Sequence, residues 1–204
     1  ITFGETQWVG DGTASIKVET SETGYTLQYQ KNGTEGSWTD ITSGEIINNL
    51  IHGDTVYGRL WDGTNGSEYA SVDITDDTPP EVNISISNLE FNSVTLNVTA
   101  SDGQSGLAET GTYKYYLGNS LQATNETNRY TFTGLTDGVQ YTLKVVVTDK
   151  AGKTTEKSLA ITTIAKTIEN VLEEGDYVNY VDGTGTTRKC VVLYGPENAN
   201  YSSY

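Results

Sequence analysis

The sequence predicts an all-β fold of two tandem Greek-key β-sandwiches followed by a small C-terminal α+β element. Short runs of alternating apolar and polar residues recur along the chain, separated by Gly, Asn and Asp clusters. Matching landmarks such as Ile16 and Leu96 recur about eighty positions apart, as in a tandem repeat. The composition agrees, because it includes 14 tyrosines and no methionine. The predicted domains are residues 1–77, 78–163 and 164–204.

Five runs in the first domain have the alternation or the β-rich composition of sandwich strands. They are 14–19, 25–29, 46–50, 55–61 and 69–74. Asn32-Gly33 and the segment 62–66 are turn signals between them, since Asn, Asp and Gly tolerate the backbone angles of tight turns. The following Asp76-Asp77-Thr78-Pro79-Pro80 ends the pattern. Two prolines cannot donate ladder hydrogen bonds and they stiffen an extended chain, so this is a short, semi-rigid linker.

The second domain repeats the plan, with its longest alternating run at Tyr141, Leu143, Val145 and Val147. Its other predicted strands lie at 82–86, 94–100, 113–115, 130–132 and 159–161. After residue 163 the pattern changes to helical spacing at Ile164, Ile168, Val171 and Leu172, with Gly175 as the predicted C-cap. A hairpin is expected from 177–181 and 186–194. This tail is either the start of a further module or a cap on the second domain.

Charge and composition exclude several classes of function. The net charge of −15 repels phosphate backbones, so nucleic acid is not an expected partner. One cysteine and one histidine leave almost nothing from which to build a zinc site, a disulfide framework or a Ser/His/Asp triad. No apolar run reaches the length of about 18 residues that a membrane helix needs. We therefore expect no enzyme activity and no membrane contact within this segment.

The residues from Thr133 to Val145 resemble the E–F region of fibronectin type III domains, in which a Leu and a Gly precede a tyrosine. The resemblance makes Tyr141 the tyrosine of a tyrosine corner, with its hydroxyl bonded to nearby backbone. In the first domain, Leu50, Gly53 and Tyr57 match the motif, but Tyr57 comes one residue late. Either a bulge absorbs the shift, or Tyr57 faces outward and Val56 replaces it.

The linker resembles those of tandem immunoglobulin-like modules on bacterial cell-surface proteins. The function implied is a non-catalytic spacer or adhesive segment of an exported protein, extracellular on the bacterial surface or secreted. Its partners would be other domains of the same protein, or a host or cell-surface protein or glycan. Two alternatives stay open: a glycan-binding accessory module of a secreted polysaccharide-degrading enzyme, and a pilus or filament subunit whose tail hairpin pairs with a neighbouring sheet edge.

A possible calcium site follows from the topology of such a sandwich. The N-terminal entry and the B–C and F–G loops share one pole, which gathers Asp76, Asp77, Asp102 and Asp149. Crowded carboxylates repel one another unless a cation or water separates them, and Ca²⁺ takes six to eight oxygen ligands. The alternative is that all four are solvated turn aspartates.

Three other features have a structural and a functional interpretation. Tyr57, Arg59 and Trp61 alternate in one strand, so they form either an exposed contact surface or half-buried packing. His52, beside Gly53, is expected to be an exposed turn histidine. Cys190 lies in an apolar strand and is expected to be a buried thiol with no catalytic role.

Overall fold

The computed structural model describes residues 1–10, 12–166, 177–181, 184–192 and 201–203. These residues form antiparallel β-strands joined by turns, and among them no helix is long and apolar enough to cross a membrane. The predicted all-β class with tandem sandwiches is confirmed. The helix expected from residue 164 lies largely outside the described residues.

Strands in the first half of the chain form two sheets. Their bounds are β1 Thr2–Phe3, β2 Gln7–Trp8, β3 Ala14–Glu19, β4 Thr26–Lys31, β5 Thr39–Asp40, β6 Ile46–Leu50, β7 Thr55–Trp61 and β8 Ala70–Asp73. In one sheet β3 pairs with β1, β2 and β6, and the other sheet has the order β5-β4-β7-β8. The consecutive strands β3 and β4 therefore lie in different sheets, and β6 returns to the sheet of β3, as in a Greek-key sandwich.

Strands in the second half repeat this order. Their bounds are β9 Glu81–Ser87, β10 Ser93–Ser101, β11 Tyr113–Leu117, β12 Ser120–Asn125, β13 Arg129–Thr133, β14 Gln140–Thr148 and β15 Thr154–Thr162. The sheet orders are β13-β10-β9 and β12-β11-β14-β15. The tail adds β16 Tyr177–Val181, β17 Thr187–Val192 and β18 Tyr201–Ser203, in the order β16-β17-β18. The predicted tail hairpin is confirmed by the pairing of β16 with β17.

The described chain divides into two compact units. One contains Ile1–Ser85, Leu96–Tyr130 and Thr142–Leu159, and the other contains Ile86–Thr95, Thr131–Tyr141 and the described residues from Ala160 onward. The domain bounds 1–77, 78–163 and 164–204 stay predictions.

Period-two alternation builds the core of the first half. In β3 the side chains of Ala14, Ile16 and Val18 are buried, because alternate residues of a strand point to the same face. They form one cluster with residues of β4, β6 and β7 and with Ile74. The same alternation buries Leu143, Val145 and Val147 of β14.

Tyr141 forms the predicted tyrosine corner. The backbone N–H of Thr136 donates a hydrogen bond of 2.9 Å to the Tyr141 hydroxyl. Hydrogen bonding from the Thr136 side chain, and next from this backbone N–H, lowers the pKa of Tyr141 below its ordinary value, because it stabilises the charged form. The hydroxyl thereby connects the start of β14 to the turn that precedes it.

The corresponding corner of the first half has no such tyrosine. Val56 is fully buried and Tyr57 is half-buried on the outer face, so Val56 takes the inward position. Asp54 fastens this corner instead, with only 4% of its surface exposed. It accepts hydrogen bonds from the Ile51 N–H at 2.9 Å and the Asn32 side-chain amide at 2.7 Å.

Lys31 completes the environment of Asp54 with an ion pair of 2.8 Å. Burial alone would raise the pKa of Asp54, but the hydrogen bonds from Lys31, Asn32 and Ile51 outweigh it and lower the pKa. Asp54 is thus a satisfied buried carboxylate that holds the E–F corner to the turn at Asn32.

We predict that Asp54→Ala destabilises the chain by about 2–3 kcal/mol at neutral pH, because it leaves buried donors without an acceptor. The folded pKa of Asp54 is depressed, so its contribution is present above the ordinary pKa of 3.8 and is lost as pH falls through the folded value. Denaturant unfolding of both proteins from neutral to strongly acidic pH measures this difference.

A matched control is Glu68→Ala, which changes an exposed carboxylate and should alter stability by about 0.5 kcal/mol or less. A difference between Asp54→Ala and the parent protein that stays constant below pH 3.8 would contradict the role given to the ionised Asp54.

Candidate functional site

Three aspartates that follow strand ends lie close together. Asp76 comes after β8, Asp102 directly follows β10, and Asp149 directly follows β14. One carboxylate oxygen from each lies within 4.8 Å of the others. Asp76 is 1% exposed and Asp149 is 2% exposed, whereas Asp102 is partly buried. These three residues are referred to below as the aspartate cluster.

The Asp76 carboxylate is held by hydrogen bonds from Ser105 and Thr78. Its Oδ2 accepts hydrogen bonds from the Ser105 hydroxyl at 2.5 Å and the Ser105 N–H at 3.1 Å. Its Oδ1 accepts a bond of 2.9 Å from the Thr78 N–H. Burial alone would raise the pKa of Asp76, but these hydrogen bonds outweigh it and lower the pKa. Asp76 is therefore stable as a buried carboxylate.

His52 also contacts this segment, because its Nδ1 accepts a hydrogen bond of 3.0 Å from the Asp76 N–H. His52 lies in a turn as expected, but its side chain is half-buried, so the expected exposure is wrong. The two residues lie 24 positions apart. No local pattern signals the contact, because it depends on which loops meet after folding.

Asp102 and Asp149 are each satisfied on one oxygen only. Oδ1 of Asp102 accepts bonds from the N–H groups of Gln104 at 3.0 Å and Gly106 at 2.8 Å. Oδ1 of Asp149 accepts a bond of 2.7 Å from the Lys153 N–H. Oδ2 of each aspartate is buried and has no hydrogen-bond partner among the described residues.

The environment of Asp149 opposes its ionisation. Burial raises its pKa most, and the charges of Asp76 and Asp102 raise it further, against the backbone hydrogen bonds that lower it. None of the ion pairs that the structure describes involves a member of the aspartate cluster. The cluster therefore combines three carboxyl groups with no directly paired side-chain cation in the described chain.

Asp77, which the sequence analysis grouped with the other three, is not part of the cluster. Its side chain is 82% exposed and forms an ion pair of 3.0 Å with Lys153. The hydrogen bond from Lys153 to Asp77 is the main reason for the raised pKa of Lys153. The structure thus brings together Asp76, Asp102 and Asp149 and leaves Asp77 facing solvent.

The aspartate cluster has the chemistry of a hard-cation site. Carboxylate oxygens bind Ca²⁺ at about 2.3–2.6 Å, so two oxygens on one ion are separated by about 5 Å at most. The spacing of 4.8 Å or less within the cluster fits that span.

Tyr57, Arg59 and Trp61 share the outer face of β7, and all three are half-buried. The Arg59 guanidinium carbon lies 4.3 Å from the Trp38 ring centroid and 4.9 Å from that of Trp61. Its Nε donates a hydrogen bond of 2.9 Å to Gln28. Arg59 therefore lies between two tryptophans in a cation–π stack.

Trp38 belongs to this stack, although no pattern in the sequence predicts that it lies beside β7. It lies just before the two-residue strand β5, where period-two alternation gives no usable signal. Tyr57 packs at right angles against the Tyr69 ring, with the centroids 5.6 Å apart. The side chain of Cys190 lies outside the described residues.

Comparison with known proteins finds a structural similarity and no match in sequence. No family model matches the chain, and no curated protein matches it. The structure is similar to a two-domain fibronectin type III segment of chicken tenascin, with 18% sequence identity and a TM-score of 0.49. The match covers 79% of this chain and 97% of the tenascin segment. At that TM-score the likeness supports no functional assignment.

Proposed function

We propose that this chain is a non-catalytic spacer or adhesive segment of an exported bacterial cell-surface protein. The supporting observation is the attachment of Asp76 to residues before and after it, His52 and Ser105. A spacer needs connections that do not swivel freely, and these hydrogen bonds restrain the segment that contains Asp76. Pro79 and Pro80 restrict the backbone further, because the proline ring fixes φ.

The strand pairing suits a module that resists tension. In the first half β8 pairs with β7 in antiparallel register, from Thr55 with Asp73 to Gly58 with Ala70. A side-chain bond of 2.7 Å from the Thr55 hydroxyl to Asp73 reinforces the end of this ladder. Force along the strands must shear several of these bonds together, which is harder than opening them one at a time.

The extracellular setting is part of the proposal, and the acidic, cysteine-poor composition is compatible with it. A net charge of −15 keeps copies apart and favours solubility. One cysteine cannot form an internal disulfide, so folding does not depend on an oxidising compartment. Each sandwich is stabilised by sheet pairing and core burial, which do not depend on the redox environment.

A glycan-binding accessory module is the second candidate, because the stack of Trp38, Arg59 and Trp61 provides aromatic surface on the outside of a sheet. Its weakness is that Arg59 already lies against both rings. A sugar would have to use the remaining ring faces or displace the guanidinium. The spacer proposal is therefore the better supported of the two.

Single-molecule pulling tests the spacer proposal. With the chain held at both ends between marker domains, we expect two separate unfolding events. Each should release roughly 25 nm, since about 75 residues extend at up to 3.6 Å each. Thr55→Val removes the hydroxyl bond to Asp73 and should lower the unfolding force of the first sandwich only. Smooth extension without force peaks would contradict the proposal.

Glycan-array binding tests the second candidate. If the chain is a spacer without an adhesive role, neither the parent protein nor Trp61→Ala retains any glycan. Tyr116→Ala is the matched control, because Lys144 lies 4.8 Å from the Tyr116 ring centroid in a comparable cation–π pair. Binding that Trp61→Ala abolishes and Tyr116→Ala leaves intact would establish the glycan-binding function in place of the spacer.

A further inference from the structure

Two buried oxygen atoms in the aspartate cluster lack any described partner. They are Oδ2 of Asp102 and Oδ2 of Asp149. Asp149 is 2% exposed, so solvent cannot satisfy its free oxygen by ordinary surface hydration. An ionised carboxylate taken out of water without a partner costs several kcal/mol, so buried polar atoms of this kind call for a donor or a cation.

The neighbouring groups supply no such donor to these two atoms. The N–H groups of Gln104, Gly106 and Lys153 are all bonded to the Oδ1 atoms of the two aspartates. The Lys153 ammonium is paired with the exposed Asp77. The third carboxylate, Asp76, brings a further negative charge into the same space, which makes a cation the matching ligand.

We propose that Asp76, Asp102 and Asp149 bind one Ca²⁺ ion, with the two unpartnered Oδ2 atoms among its ligands. Asp76 can contribute through Oδ1, which accepts one hydrogen bond and keeps a second lone pair, whereas Oδ2 already accepts two hydrogen bonds. Further oxygen ligands complete the coordination, as backbone carbonyls and waters do in protein calcium sites.

The burial of the cluster favours Ca²⁺ over Mg²⁺. Mg²⁺ binds at 2.0–2.1 Å, demands near-octahedral geometry and keeps several of its waters. Two oxygens on one Mg²⁺ are at most about 4.2 Å apart, and a site with members 1% and 2% exposed leaves little room for a retained water shell. Ca²⁺ accepts the longer spacing and irregular geometry.

The bound ion would join three parts of the chain that are far apart in sequence. Asp76 follows β8, Asp102 follows β10 and Asp149 follows β14, so one ion cross-links the ends of three strands. Because Asp76 is also bonded to His52 and Ser105, the ion strengthens an existing connection. The site is independent of the spacer role, since it concerns binding alone.

The test uses the full chain, CaCl₂ alone as the ligand, and variants that remove charge but keep an oxygen acceptor. Isothermal titration should give one Ca²⁺ per chain, and saturating Ca²⁺ should raise Tm by several degrees over the value in EGTA, because it binds only the folded site. Asp102→Asn and Asp149→Asn should each weaken binding at least tenfold and remove most of the rise.

Asp77→Asn is the matched control, since it removes a neighbouring exposed carboxylate outside the cluster and should keep both the stoichiometry and the Tm rise. In EGTA, the Asp149→Asn protein should melt at or above the parent Tm, because it loses like-charge repulsion. A Tm that is not lowered in EGTA would show that Asp149→Asn weakens calcium binding by removing a ligand and not by unfolding the chain. MgCl₂ at the same concentration should produce a smaller rise.

Terbium luminescence tests independently where the ion binds. Trp8 and Asp102 line the same groove, so Tb³⁺ in the cluster should be sensitised by Trp8 and lose signal in Trp8→Phe. Equal melting curves in CaCl₂ and EGTA would overturn the proposal. A calcium response that survives in both Asp102→Asn and Asp149→Asn would overturn it equally.

Discussion

A carboxylate buried in a protein must be matched by donors or by a cation, and this constraint organises the polar interior of the chain. Asp54 meets it with an ammonium, an amide and a backbone N–H, and its pKa falls as a result. Asp76 meets it with a hydroxyl and two backbone N–H groups, and its pKa also falls. Asp149 meets it on one oxygen only, and its pKa rises.

The four buried or partly buried aspartates of the described chain differ in how completely the protein satisfies their oxygens. Asp54, at the E–F corner, and Asp76, in the linker, hold separate segments together, because each also accepts hydrogen bonds from a residue more than 20 positions away. Asp102 and Asp149 cap the turns that follow their strands and leave one oxygen each without a partner. Hydrogen bonds within the protein satisfy both oxygens of Asp76 and of Asp54, but only one oxygen each of Asp102 and Asp149.

The fold could be predicted because its signals are local. Alternation in β3 and β14 assigns each side chain to the core or the surface, and a strand repeats that assignment every second residue. Tyr141 was recognisable because the motif around it is contiguous. Local signals left the first corner ambiguous, since either Val56 or Tyr57 fitted the motif and only packing selects Val56.

The site could be predicted in part, because topology places particular loops at one pole of a sandwich. Topology brings Asp76, Asp102 and Asp149 to the same region, but it does not determine that Asp77 points to solvent. The contacts of His52 with Asp76 and of Trp38 with Arg59 were missed. Both depend on loop conformation, which the alternation of side chains does not encode.

A crystal structure of the full chain grown with Ca²⁺ tests the central claim most directly. The account predicts one density peak bonded at about 2.3–2.6 Å to Oδ2 of Asp102 and Oδ2 of Asp149, with Asp76 in the same coordination sphere. A structure in which both oxygens accept hydrogen bonds from protein or water, with no ion between them at saturating Ca²⁺, would contradict it.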